Sequence, residues 1–232
     1  MYNLSSLEIT SGSKDNGGVG YYAKDIYDTL SAASKIERAS DGYVFYNDDG
    51  EYSLIAYDAD KKEVVLPEEY KGKSYAIASA FYYKTTLEKV VIPDSITSLP
   101  ANVFNSCLSL KEVVLPDSLT AIPDGAFESC RALTTITLGE GITEIGKEAF
   151  ANSGVEELRL GDGLKSIGYR AFDGCDDLIY IELGAGLESI GMEAFSFCNS
   201  LQSIIITASV RFIGAKAFNV KIPVNIFYEG SK

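Results

Sequence analysis

Histidine and tryptophan are absent from this 232-residue sequence, and methionine occurs only twice. Without an imidazole there is no Ser-His or Cys-His nucleophile, no facial-triad metal site and no zinc site of the usual mixed kind. Basic residues are also scarce: 20 Lys and Arg against 33 Asp and Glu leave a formal charge of −13. Such a field repels phosphate backbones and anionic membrane surfaces, so no nucleic-acid partner is expected. No run approaches the roughly 20 apolar residues that span a bilayer, so no membrane insertion is expected in this segment. The opening Met1-Tyr2-Asn3-Leu4-Ser5 has neither the basic n-region nor the apolar h-region of a signal peptide, and any export signal is expected outside this sequence.

What the sequence does have is a period. Phenylalanines at 81, 104, 127, 150, 172, 195 and 218 are separated by 23, 23, 23, 22, 23 and 23 residues, and Ala precedes Phe81 and each one from Phe127 onward. A fixed period of this length marks a solenoid whose units bury their apolar faces only by stacking on one another. Units open at Leu87, Leu110, Leu133, Val155, Leu178 and Leu201 with an L-x-x-V-x-L pattern. Its first, fourth and sixth residues are expected to point inward from a short strand, paired in parallel with that of the next coil. Pro93, Pro116, Gly139, Gly161 and Gly184 then end the strand. The pair Ile142 and Ile145 turns the chain to the far side, where Gly146-Lys147-Glu148-Ala149-Phe150 reads as a short helical turn. The unit opening at Leu133 lacks one position between Ser153 and Gly154, a deletion that a turn is expected to absorb.

The repeated I-P-x-x-[IV]-x-x-I-G-x-x-A-F-x-x-C-x-x-L pattern, over roughly residues 64 to 228, resembles the BspA-type leucine-rich repeat of bacterial surface proteins. The resemblance implies an α/β repeat fold: a right-handed leucine-rich repeat solenoid with a parallel sheet on one side and short helical turns on the other. It also implies a cell-surface or secreted protein without catalytic residues or cofactor, acting as an adhesion or protein-binding module. The implied partners are host matrix proteins or other cell-surface proteins. The alternative is a structural spacer within a longer surface protein, with no partner of its own.

Residues 64–232 are expected to form the solenoid and residues 1–63 a capping or connecting segment. The first unit runs fourteen residues from Pro67 to Phe81, where Pro93 and Phe104 are eleven apart, so a widened turn is expected within Glu69 to Lys73. Upstream, two apolar-rich runs, 43–46 and 52–57, flank Asn47-Asp48-Asp49-Gly50, which is hairpin chemistry and the candidate N-terminal cap. Ile26, Leu30 and Ala33 suggest a short helix over about 23–36. Leu4 to Ile9 repeats the strand signature, and Gly12 to Gly20 reads as a loop. At the other end, 224–228 reads as a last strand without a polar cap, which fits a fragment of a longer chain.

Most chemical-looking features fall into repeat columns. Cys107, Cys130, Cys175 and Cys198 each follow a repeat Phe by three residues, as small buried residues do, with disulfides between neighbouring coils as the alternative. Gly141 to Lys147 mimics the start of a phosphate loop, but Glu148 stands where Ser or Thr is required. Asp94, Asp117, Glu140 and Asp162 stack after the strand, either as solvated turns or as a calcium ladder. Asp58 and Asp60 lack the rest of an EF-hand loop, Asn3-Leu4-Ser5 is a lone glycosylation sequon, and most tyrosines are assigned to hairpin packing.

Strand positions two, three and five point away from the core and form the candidate binding face. The residues singled out there are Val91, Val114, Arg159, Ile179, Tyr180, Glu182 and Ile205. Ile179, Tyr180 and Ile205 are expected to lie close together late in the array, as an apolar patch open to solvent.

Overall fold

The structure, a computed structural model, describes residues 35–221 and 224–229. The L-x-x-V-x-L segment forms strands β4 (Glu63–Val65), β6 (Lys89–Val91), β7 (Glu112–Val114), β10 (Glu157–Arg159), β12 (Tyr180–Glu182), β14 (Ser203–Ile206) and β16 (Asn225–Tyr228). All pair in parallel, and along β7, β10 and β12 exposure alternates exposed, buried, exposed. With Thr137, bridged to Val114, they make eight rungs on this side of the solenoid.

A second parallel sheet, not anticipated from the pattern, runs along another side. It orders β8 (Ala121–Ile122), β9 (Glu144–Ile145), β11 (Ser166–Ile167), β13 (Ser189–Ile190) and β15 (Phe212–Ile213) in sequence. Each strand is two residues long, its Ile five positions before the repeat Phe. A glycine then follows in the last four coils because the coils approach too closely for a side chain: a Cβ on Gly191 would lie 2.5 Å from the Gly168 carbonyl oxygen.

The third side corrects the expected helical turns. Among the described residues there is no α-helix, so the fold is a β-solenoid rather than an α/β repeat. The residues two before and two after each inner Phe have left-handed φ, for example Glu148 (55°) and Asn152 (56°) around Phe150. Such residues interrupt any helix. Amides then alternate in direction: Ala126, Glu128 and Cys130 close turns on Pro123, Gly125 and Phe127, whereas Gly125, Phe127 and Ser129 donate to Lys147, Ala149 and Ala151 of the next coil. The turns thus form a third inter-coil hydrogen-bond ladder, which satisfies amides that a helix would have used internally.

Inside the ladder the Phe rings stack. Centroids are 5.2 Å apart from Phe127 through Phe195, with planes within 2° of parallel between Phe150, Phe172 and Phe195. Phe81 through Phe195 are fully buried. The cysteine column lies beside them: the Cys107, Cys130, Cys175 and Cys198 thiols donate to the carbonyls of Phe81, Phe104, Phe150 and Phe172 at 3.0–3.1 Å. All four are free, which answers the disulfide alternative. Burial pushes the Cys107 and Cys175 thiols up to about 12 and raises Cys130 and Cys198 as well.

At the N-terminal end, β2 (Tyr43–Asp48) and β3 (Glu51–Tyr57) form the expected hairpin. Its turn residues Asp49 (φ 52°) and Gly50 (φ 97°) both take the left-handed conformation that a two-residue turn requires. β1 (Ile36–Arg38) pairs antiparallel with β2, and β3 pairs in parallel with β5 (Tyr75–Ile77) of the opening coil. Ile36, placed at the end of the expected helix, is therefore in a strand; residues 23–34, like Leu4 to Ile9 and Gly12 to Gly20, lie outside the described residues. The widened turn does occur, closed by Tyr70 and Lys73. Its extra residues grip the hairpin: the Tyr70 ring stacks on Phe45 at 3.8 Å, Lys71 pairs with Glu37 at 2.7 Å, and Lys73 donates to the Gly50 carbonyl at 2.9 Å. Tyr57, 5.9 Å from Phe81, extends the Phe stack by one ring. Packing thus accounts for the buried tyrosines 43, 57 and 75.

The one-residue deletion sits in the coil whose strand side is interrupted, while the turn side keeps its inter-coil bonds across it. The strand side is interrupted after Thr137: β4, β6 and β7 form one sheet, β10, β12, β14 and β16 another. The Glu156 amide still reaches the Thr134 carbonyl at 3.0 Å, but residues 135–137 and 157–159 do not pair as strands.

Two outcomes follow from this packing. Phe127→Ala removes a fully buried ring from the middle of the stack and should lower stability by about 3–5 kcal/mol, read from urea denaturation of the variant. In native protein at pH 8 the four thiols should resist a thiol-reactive dye and all should react after denaturation without reductant; rapid labelling of the native chain would contradict the buried column.

Candidate binding face

The strand side carries every residue singled out on the sequence, but not as one surface. Val91 is half-buried and Val114 exposed, beside the first sheet's charged columns; Arg159, Ile179, Tyr180, Glu182 and Ile205 lie beyond the Thr137 rung and are all exposed. Among the latter, Arg159 is in register with Glu182 and pairs with it at 3.5 Å. Ile179 and Tyr180 adjoin on β12, Tyr180 is in register with Ser203, and Ile205 is in register with Phe227.

Phe227 is the residue missed by the sequence reading. It is 57% exposed, next to Ile205 at 49%, and it extends the position-five column by one rung. The column could have been continued through the last strand, 22 residues on from Ser203 to Asn225. With it, Ile179, Tyr180, Ile205 and Phe227 are exposed apolar residues spread over three neighbouring rungs, with Ser203 in register with Tyr180.

The two halves of the face differ in how their charges are used. In the first, Glu88 lies between Lys62 at 2.6 Å and Lys111 at 2.7 Å, and Lys89 pairs with Glu112 at 2.7 Å. The two lysines hold the Glu88 carboxyl down to about 2. Opposite charges on successive rungs therefore neutralise one another within the face. Thr134, Thr135 and Thr137 form a charge-free rung between the halves. In the second, Glu156 and Glu157 are exposed and make no ion pair among the described residues.

The other sequence candidates resolve locally. Asp162 accepts the Ala185 amide of the next coil at 2.8 Å, as a turn carboxylate does. Among the described residues no group of three or more His, Cys, Asp or Glu stands close enough to hold a metal ion, so the carboxylate column does not converge into a calcium ladder. In the phosphate-loop mimic the Lys147 amide is taken by the Asp124 carboxylate at 2.6 Å. No helix of the described residues is long and apolar enough to cross a membrane.

Comparison with known proteins places this geometry. The model of the BspA type leucine-rich repeat region matches residues 74–154 and 120–227 in six copies, together about two thirds of the chain. A leucine-rich repeat protein from Bacteroides ovatus is 25% identical with a TM-score of 0.62, over 82% of this chain and 52% of that one. The T. pallidum leucine-rich repeat protein is 23% identical with a TM-score of 0.65, over 83% of this chain and 86% of that one. The pneumococcal vaccine antigen PcpA is 18% identical with a TM-score of 0.55, over 84% of this chain and 50% of that one. The chain thus spans about half the length of the first and third. No curated protein matches it.

The Glu88 bridge gives a pH signature. Its carboxyl is depressed in the folded chain, so its contribution is full above the ordinary glutamate range and is lost as pH falls toward 2. Glu88→Gln should therefore lower the melting temperature at pH 7, and the gap from the parent should close as pH falls from about 4.5 to 2, which melting curves across that range will show.

Proposed function

The chain belongs to the BspA-type leucine-rich repeat family, and from that premise we propose that it is a non-catalytic protein-binding module of a cell-surface or secreted protein, using the strand side as its contact face. The observation that carries this reading is the set of solvent-open residues Ile179, Tyr180, Ile205 and Phe227 on the sheet, backed by buried Ile181, Ile204 and Ile206 on β12 and β14, while β16 is the exposed last rung. Scattered apolar residues are ordinary on a surface, but four on adjacent rungs are of the kind that partners cover. The rigid inter-coil ladders support the same reading, because a pre-ordered face loses little conformational freedom on binding.

Membership of the family supports a surface location and an adhesive role in this reading, and a pneumococcal vaccine antigen is among the similar structures. A spacer without a partner is the competing reading; the internally neutralised first half of the face fits it, the second half does not. Solid-phase binding of the chain to a panel of extracellular matrix proteins separates the two. Saturable binding to at least one is expected, lost in the Tyr180→Ser/Ile205→Ser variant and kept in a Phe197→Ser control, which changes an exposed ring on the turn side. Absence of saturable binding to any of them would favour the spacer.

A further inference from the structure

We propose that the second half of the strand face, from Glu156 to Phe227, docks a cationic polypeptide segment that carries aromatic or branched aliphatic side chains between its lysines or arginines. This rests on the binding reading above and narrows it to one half of the face and one partner chemistry.

The argument starts from how the same positions are filled on either side of the threonine rung. In the first half, positions two and three hold Lys62, Lys89 and Lys111 against Glu63, Glu88 and Glu112, so cations and anions balance. Glu88, Lys89, Lys111 and Glu112 all have an opposite charge in reach on the next rung. Any partner laid over this half must break pairs that already exist.

In the second half, Glu156, Glu157 and Glu182 face a single cation, Arg159, which is engaged by Glu182. Glu156 and Glu157 lie on β10 and the residue before it, one rung from Ile179 and Tyr180. A partner that covers the apolar patch draws water away from these carboxylates. A neutral partner leaves them desolvated without compensation, and an anionic one adds repulsion. A cationic segment alone covers the patch and supplies the missing partners, its apolar side chains meeting Ile205 and Phe227. The chain's negative charge also speeds the approach of such a segment.

The test is fluorescence anisotropy of the full chain with three labelled peptides of one design: Arg-Ile-Lys-Gly-Tyr-Lys-Gly-Phe-Arg, the same peptide with Ser at each basic position, and the same with Glu. The cationic peptide should bind at least roughly tenfold more tightly than the Ser form, with affinity falling as salt rises. Ile205→Ser/Phe227→Ser should abolish that binding and Glu156→Gln/Glu157→Gln should weaken it severalfold. Glu140→Gln/Glu144→Gln, which removes two charges away from the face, should leave it unchanged. All three variants alter exposed side chains, and melting curves confirm that they fold. Equal weakening by both Gln variants would reduce the effect to bulk charge and overturn the proposal. Ser or Glu peptides that bind the same face as tightly would overturn the cationic chemistry while sparing the binding face. No binding of any peptide would overturn the proposal, and the matrix-protein assay would then decide separately whether the face binds at all.

Discussion

Everything in this molecule depends on the spacing between coils, held by hydrogen bonds on three sides at once. Two sides are ordinary parallel sheets. The third is a row of turns whose alternate amides reach across to the next coil, and that row keeps the Phe rings 5.2 Å apart and nearly parallel. Stacked rings, buried thiols and inward Leu and Ile then fill the interior. Because each coil is satisfied only by its neighbours, the outward side chains stand on a lattice whose rung spacing is fixed, and any surface pattern written in the sequence becomes a pattern in space.

That lattice explains what the sequence made legible. The Phe period, the inward positions one, four and six, the hairpin at Asp49-Gly50 and the widened opening turn could all be read, because each depends on local chemistry or on periodicity. The turns on the Phe side could not. A helical turn and two consecutive β-turns share the same short residue pattern; they differ in whether Phe127 and Ser129 donate within the coil or to Ala149 and Ala151 of the next. That choice belongs to the assembled stack. The second sheet was hidden for a related reason: two-residue strands such as Ser166–Ile167 carry too little alternation to register.

The candidate face was legible in its columns but not in its division. Ile179 and Tyr180 adjoin at β12 and Ile205 stands on the neighbouring β14, whereas Val91 and Val114 belong to a separate, charge-balanced surface across the threonine rung. The deletion between Ser153 and Gly154 and the interrupted sheet coincide with that boundary, so one missing residue in a turn marks where the surface chemistry changes. Phe227 was left out because its column continues into a coil of different length, where counting from the repeat Phe no longer gives the position.

The turn ladder has an electrical consequence. From Tyr83 onward its bonds run the same way, with the amide of one coil donating to the carbonyl of the following coil. Three peptide units per regular coil are therefore aligned with the long axis, their N–H groups toward the C-terminal end. Aligned peptide dipoles add as they do in an α-helix, but with the opposite polarity relative to the chain: the positive pole of the turn ladder is at its C-terminal end. On the second sheet, amides such as Gly146, Gly168 and Gly191 donate the other way, to Ile122, Ile145 and Ile167 of the preceding coil, so the polarity belongs to the turn side and is partly offset across the solenoid.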